Sequence, residues 1–363
     1  PIAVAATGQM NGPVLLDKHD NPIGLVPLWN DTRCTLQCER IQSKIPKDKM
    51  LDISGHVAVT GYTAPKLMWI AENEPEVMKN ASTCKCNEEY ITKLLTGIII
   101  TDYSDASNSL LLDINRGIWD RGFIRELHLD SLSFPLIING TDIVGHVSKD
   151  GAVWSGLQEG TTVAAGVGDS IAAALGSGIY GPSKLQIVVG TAGNVNCVLS
   201  KIIIDQRGRV HTGFYVDNNH WITTGVLQSS GESLHWWSEV TGKCIDKLIQ
   251  EVKLDKPTKV LFAPYLSGER TPHLDPHIRG AFISLDRNTT QADMTKAIME
   301  GIAFSLRDVI EVFYAIGIQP QRVSITGGGA KSDILCQIIA NAVNLPLERI
   351  TAEVTARGAA VIA

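Results

Sequence analysis

Three glycine-bearing segments constrain this chain most. Each sits where a strand pattern hands over to another element: Gly166-Val167-Gly168-Asp169, Gly190-Thr191-Ala192-Gly193 and Gly327-Gly328-Gly329-Ala330. Without a Cβ, a glycine turn lets backbone N–H groups approach an oxyanion closely. Where the turn also opens a helix, the helix dipole adds to the attraction. Three such turns in one chain, one ending in a carboxylate, point to an enzyme that handles phosphates. The triple glycine is the strongest of them, because strand, glycine run and helix come in order. It lacks both the dinucleotide fingerprint spacing and the P-loop lysine, which excludes a Rossmann or Walker reading.

The surrounding pattern predicts which elements carry these turns. A short strand over 162–165 precedes Asp169, and 170–175 reads as a helix of small residues. Strands over 185–189 and 195–199 flank the Gly190–Gly193 turn as in a hairpin, and 220–226 continues the sheet. A helix over 290–315 opens on a capping box of Thr290 and Asp293, with Met294, Ile298, Ile302, Leu306, Val309 and Phe313 on its packed face. Residues 323–326 and 332–343 supply the strand and helix around the triple glycine. A further helix over 65–73 has Thr63 as its expected N-cap. The alternation predicts an α/β protein with a twisted mixed sheet in each half. The Gly/Pro-rich break at 177–182 is the candidate boundary, giving domains 1–178 and 179–363.

Composition narrows the partners. A chain of 363 residues has room for two cores. A net charge of −6 without clustered Lys or Arg argues against nucleic acid as the main partner. No apolar run approaches membrane length. The 7 cysteines are odd in number and scattered, and neither Cys34/Cys38 nor Cys84/Cys86 has partners at zinc spacing. They read as reduced thiols of a cytoplasmic protein.

Several motifs carry two readings. Asp169, at the carboxyl end of a strand, is placed as a catalytic group or as a cap for the next helix. The Thr191 turn is a phosphate cradle or an ordinary hairpin. The string Tyr265-Leu266-Ser267-Gly268-Glu269-Arg270-Thr271-Pro272-His273 is dense in polar groups, yet Glu269 and Arg270 could be a solvated pair. Trp29-Asn30-Asp31-Thr32-Arg33 suits a sugar contact or a packed loop end, and Trp236-Trp237 reads as core.

Together these residues resemble the FGGY carbohydrate kinases, and within them the xylulokinases. The shared features run through nearly the whole chain in the family's order: Gly8-Gln9-Met10, Leu28-Trp29-Asn30-Asp31, Thr63-Ala64-Pro65-Lys66-Leu67-Met68-Trp69, Gly168-Asp169, Tyr265 to His273, and Thr326 to Ala330. Residues 61–73 fit one family signature, and 280–300 resemble the second, with Ser284 where a Gly is usual. The resemblance implies two actin/hexokinase-type (ribonuclease H-like) domains that close over sugar and MgATP. It implies Asp169 as the catalytic base and Mg²⁺ contact. Met10, Asn11, Trp29, Asp31 and Ser170 would lie at the sugar. Gly190, Thr191, Gly193, Gly231, Gly328, Gly329 and Asp333 would lie at the nucleotide. The expected activity is phosphorylation of D-xylulose to its 5-phosphate, with a small-molecule sugar as partner and a homodimer as a candidate assembly.

Asn11 stands where xylulokinases usually carry His, which keeps open another ketose, a polyol or a sugar acid as substrate. Ala192 replaces the usual Ser of the phosphate turn, a mild change where backbone groups do the binding. The family's opening hairpin, with its Asp-x-Gly-Thr/Ser phosphate and Mg²⁺ loop, would precede Pro1, and its last helices would come after Gly358. The expectation is therefore an N-terminal domain lacking its first strands, a C-terminal domain lacking its last helices, and a chain inactive or partial by itself. A non-catalytic member that binds nucleotide or sugar is the rival of another class.

Overall fold

The computed structural model describes residues 1–363. Two mixed sheets organise it. In the first half, strand Ala3–Gly8 runs parallel to Thr162–Gly168, which pairs antiparallel with Ile143–His146. In the second half, six strands lie in the order His211–Phe214, Trp221–Leu227, Gly193–Leu199, Lys184–Val189, Arg322–Thr326, Leu347–Arg349. The expected hairpin is present, closing at Val189 opposite Gly193, and Arg322–Thr326 runs parallel to its first strand.

The six-stranded sheet is held by the helix Gln291–Ala315, whose capping box of Thr290 and Asp293 forms as the sequence predicts. Ile298, Ile302, Leu306, Val309 and Phe313 are fully buried against Leu185, Ile187 and Val195 of the sheet. Each such side chain contributes roughly 1.5–3 kcal/mol over an exposed one. A separate core in the first half gathers Ile41, Leu67, Ile70 and Phe123. The helix Val354–Ile362 returns to the first half and lies on Asp169–Gly176 and on Ala3–Gly8. Its backbone touches the other helix: a Cβ on Gly358 would lie 1.9 Å from the Ala172 carbonyl oxygen. No helix is long and apolar enough to cross a membrane. All seven thiols are free, and only Cys244 is exposed.

Two local expectations need correction. Gly166-Val167-Gly168 is not a turn but the end of the strand Thr162–Gly168. Gly166 adopts φ +87° at a bulge where the pairing with Ala3–Gly8 slips between Ala5 and Thr7. A bulge bends its strand and re-aims the residues beyond it, here Asp169. The second correction concerns Thr63, which is the first residue of the helix Thr63–Asn73 and not its cap. Its hydroxyl donates instead to the Asn11 carbonyl at 3.3 Å.

Candidate active site

Asp169 occupies the first turn of Asp169–Gly176, with Gly168 as N-cap. Gly168 allows the close packing there, since a Cβ would meet Met10 side-chain carbon at 2.3 Å. Burial, with a smaller push from the nearby Asp105 charge, raises the Asp169 carboxyl to about 6, while the Ser170 backbone N–H counteracts. No cation contributes to its surroundings.

Beside it lies a cavity of about 180 Å³ between the two halves, lined among others by Met10, Asn11, Trp29 and Ser170. The Ser170 hydroxyl reaches the Met10 sulfur at 3.1 Å. Asp169 itself precedes Ser170 in the chain and is not on the lining. Asn11 is held in a left-handed conformation, φ +68°, which a non-glycine residue adopts only when its surroundings impose it. The surroundings are specific. Asp105 Oδ1 accepts the Asn11 N–H at 3.1 Å, and Lys66 Nζ donates to the Asn11 carbonyl at 3.0 Å and to Gly61 at 2.7 Å. Lys66 is fully buried, and its desolvation lowers its pKa to about 8. The Asn11 Oδ1 is left buried without a protein partner. Asp31 is not brought into the cavity; its carboxylate pairs with Arg33 at 2.8 Å and lies outside the lining.

Beneath this floor lies a group that sequence reasoning missed. Glu88, Glu89, Asp102 and Asp105 are all buried, with carboxylate oxygens within 4.8 Å of one another. Burial raises all four, Glu89 to about 8 and Asp102 to about 7, with Asp105 adding to both. Close burial of four carboxyls forces them to share protons. Asp102 Oδ1 accepts the Ser104 N–H at 2.7 Å, and the Ser104 hydroxyl accepts the Gly168 N–H at 3.3 Å. The cluster thus braces both Asn11 and the residue before Asp169. Glu88-Glu89 and Asp102-x-x-Asp105 were visible in the sequence, but only the packing of the helix Asn87–Thr96 against the strand Ile100–Asp102 and the helix Tyr103–Asn108 makes them one group.

A second cavity, about 770 Å³, lies over the glycine turns of the six-stranded sheet. Gly190, Thr191, Gly231, Gly328, Gly329 and Asp333 line it. Gly193 does not; it opens its strand against Ser230. Backbone groups tie the turns together. Gly231 N–H donates to the Gly190 carbonyl at 2.8 Å, and Ser230 N–H to the Thr191 carbonyl at 3.0 Å. Ser332 caps the helix Asp333–Val343, whose N-terminus faces the triple glycine. Asp333 pairs with Arg349 at the surface.

The polar string 265–273 is not a solvated loop. Glu269 is 2% exposed. It accepts the backbone N–H groups of Gln228 at 2.8 Å and of Arg270 at 2.7 Å, and burial raises its carboxyl to about 7. The expected Glu269–Arg270 pair is absent, because the guanidinium turns to His211 instead.

Comparison with known proteins shows the family. Residues 1–176 match the N-terminal domain model of the FGGY family of carbohydrate kinases, and residues 185–363 match the C-terminal one. A xylulose kinase of Lactococcus lactis subsp. lactis is 35% identical over 355 residues, which is 96% of this chain and 70% of that protein. A xylulose kinase of Bacillus subtilis is 35% identical over 365 residues, 99% of this chain and 73% of that protein. The crystal structure of a xyloylose kinase from Brucella ovis superposes with a TM-score of 0.94 at 30% identity, covering 99% of this chain and 75% of the other. The chain belongs to the FGGY family of carbohydrate kinases, ATP-dependent phosphotransferases that act on sugars.

Proposed function

We propose that this kinase phosphorylates D-xylulose to D-xylulose 5-phosphate, with Asp169 as general base. The observation that carries the reading is the Asp169 carboxyl, half-buried beside the Met10–Asn11–Ser170 cavity and raised to about 6. A base tuned towards neutrality remains mostly ionised at pH 7 and accepts a hydroxyl proton better than an ordinary carboxylate does. In a loose phosphoryl-transfer transition state it orients the hydroxyl first and takes its proton late. Met10, Asn11, Trp29 and Ser170 bind and orient the sugar, with the free Asn11 Oδ1 accepting a hydroxyl proton, while Asp31 stays paired with Arg33 outside the lining. Gly190, Thr191, Gly231, Gly328 and Gly329, with Asp333, form the wall over which the nucleotide lies, and the backbone N–H groups not spent within the turns reach its phosphates. Asp169 carries a carboxylate with no cationic neighbour, which fits a Mg²⁺ contact. Bound Mg²⁺ would neutralise charge on the transferring phosphates. Two xylulose kinases that are 35% identical over nearly the whole chain support D-xylulose as the sugar. We place the two domains at 1–178 and 179–363, and the reduced thiols support a cytoplasmic location.

Asn11 favours a second reading, in which the sugar is another ketose, a polyol or a sugar acid. ADP release measured across D-xylulose, D-ribulose, glycerol and D-gluconate tests both. Turnover highest with D-xylulose is expected; no turnover with it, alongside turnover of another sugar, would replace the first reading by the second.

A further inference from the structure

Four side chains form one hydrogen-bonded chain across the sugar cavity, two from each half. Arg270 Nη2 lies 2.6 Å from His211 Nε2, His211 Nδ1 lies 3.0 Å from the Tyr62 hydroxyl, and the same hydroxyl lies 3.0 Å from His56 Nδ1. All four residues line the cavity that holds Met10, Asn11 and Ser170. His56, Tyr62 and His211 are buried.

The chemistry fixes the direction of every bond. A guanidinium donates and never accepts, so His211 Nε2 is the acceptor and the His211 proton sits on Nδ1. That proton goes to the Tyr62 oxygen, which leaves the Tyr62 hydroxyl to donate to His56 Nδ1. The His56 proton is then on Nε2, near the Ser107 backbone but outside hydrogen-bond geometry. Both rings must be neutral, and burial beside a permanent cation keeps them so. The guanidinium forces the first two directions, and the third follows because His56 Nδ1 is the acceptor left for the Tyr62 hydroxyl proton.

Arg270 ends this chain without an ion pair. Its guanidinium uses one nitrogen on His211 and also lies beside the Tyr62 hydroxyl, which leaves most of its N–H donors to spare. Glu269 next to it spends Oε1 on two backbone N–H groups and makes no ion pair with it, its buried Oε2 having no protein partner. A guanidinium held in one orientation at a cavity wall, with donors to spare, recognises oxygen acceptors by geometry.

We propose that Arg270 is a specificity-determining residue for the sugar, presented to its oxygens in a fixed orientation by the directional chain His211–Tyr62–His56. Residues of the first half thereby set the orientation of a second-half guanidinium, so His56, Tyr62 and His211 are positioning residues. The proposal rests on the sugar assignment to this cavity made above.

The test combines kinetics with a measurement that needs no turnover. In the native enzyme, Arg270→Lys should raise the sugar KM by about 10–100-fold and Tyr62→Phe by about tenfold, the range for losing a charge-assisted or a buried hydrogen bond. The KM for MgATP should stay within about twofold in both, since neither residue touches the nucleotide cavity. The double variant should lose less than the product of the two, because both changes release the same guanidinium. Assays use whichever of D-xylulose, glycerol and D-gluconate the wild type turns over, so a wrong sugar overturns the D-xylulose reading and leaves this one to its own data. Independently, ¹⁵N imidazole NMR should show His211 as the Nδ1–H tautomer and His56 as the Nε2–H tautomer at pH 7, with Tyr62→Phe, which keeps the ring and its packing, changing both signals. Unchanged sugar KM, equal shifts in both KM values, multiplicative losses in the double variant, or a His211 proton on Nε2 would each overturn the proposal.

Discussion

The two cavities are built from opposite materials. Around the sugar cavity the polar groups are side chains, deeply buried and electrostatically displaced: Lys66, Asp105, His56, His211 and Glu269. In the cavity over the glycine turns, which we propose for the nucleotide, Gly190, Gly231, Gly328 and Gly329 leave backbone at the wall, with exposed side chains such as Asp333 at the rim. A side-chain site pays desolvation for each polar group and in return is selective, since an ill-fitting ligand leaves those groups unpaired. A backbone site is insensitive to side-chain identity but intolerant of added atoms. One cavity is therefore fragile to changes of chemistry and the other to changes of shape.

The largest effect expected is on the sugar side. Asp169→Ala should lower kcat by about 10²–10⁴-fold, the usual cost of losing a general base, with little change in the KM for MgATP. Stopped-assay rates on the full enzyme check it, and a loss below threefold would remove Asp169 from the chemistry. The same carboxylate sets the pH response. Its raised pKa means the base is protonated, and inactive, as pH falls through about 6, so kcat/KM for the sugar should drop on the acid side of that value. A plateau down to pH 4.5 would show a base of ordinary acidity.

Shape is tested next, by two glycines of the nucleotide cavity. A Cβ on Gly231 would sit 2.5 Å from the Gly190 carbonyl oxygen, backbone against backbone, whereas a Cβ on Gly328 meets nothing within 4 Å. Gly231→Ala should raise the KM for MgATP by about tenfold or more through displacement of the turn. Gly328→Ala should leave it within about twofold, as open surface changes do. Equal effects at the two sites would break the comparison, because shape would then not be what the turns supply.

The buried carboxylates give a third, smaller effect, read as stability. Glu89 is raised to about 8 from an ordinary 4.5, so between those values the folded state holds a proton that the unfolded state has lost. Stability then falls as pH rises through that window, by at most about 1.4 kcal/mol per pH unit for the group. The histidines act in the opposite sense. His56, lowered to about 3, costs stability as pH drops from its unfolded value of about 6.5. Above pH 6.5 the histidines drop out and the buried lysines, lowered to about 8, oppose the decline only near the top of the window, so Glu89→Gln should flatten the decline in Tm between pH 6.5 and 8. An unchanged slope would show that the cluster does not hold its protons.

How far the sequence revealed each cavity obeys the same division. The glycine turns were legible because conformation is written in residue type: Gly190–Gly193 closes its hairpin, and the triple glycine joins strand to helix where expected. The long helix was legible from its period and its capping box. Even Ser284, which stands where the family has Gly, proves to sit at φ +66°. The sugar side was legible only at Met10, Asn11, Trp29 and Ser170. The carboxylate cluster joins residues 88–105 to Asn11, and the Arg270 chain joins 56 to 270, separations that no local pattern encodes. The bland reading of Glu269 and Arg270 failed for the same reason: adjacency in sequence suggested a pair, while tertiary packing gave each a different partner.

Asp333 probes the boundary between the two kinds of site and carries the smallest expected effect. It lines the nucleotide cavity, yet its side chain is 85% exposed and paired with Arg349. A surface pair of this kind is screened by salt and contributes little. What Asp333 offers a nucleotide is the backbone N–H of a helix N-terminus, and that group survives truncation of the side chain. Asp333→Ala should therefore raise the KM for MgATP by less than about threefold, with kcat and sugar KM unchanged. Asp333→Pro, which removes the N–H at a first-turn position where proline is otherwise tolerated, should cost more than Asp333→Ala. If the alanine variant were the worse of the two, the nucleotide would be held there by a side chain, and the rule that separates the two cavities would fail at the residue best placed to obey it.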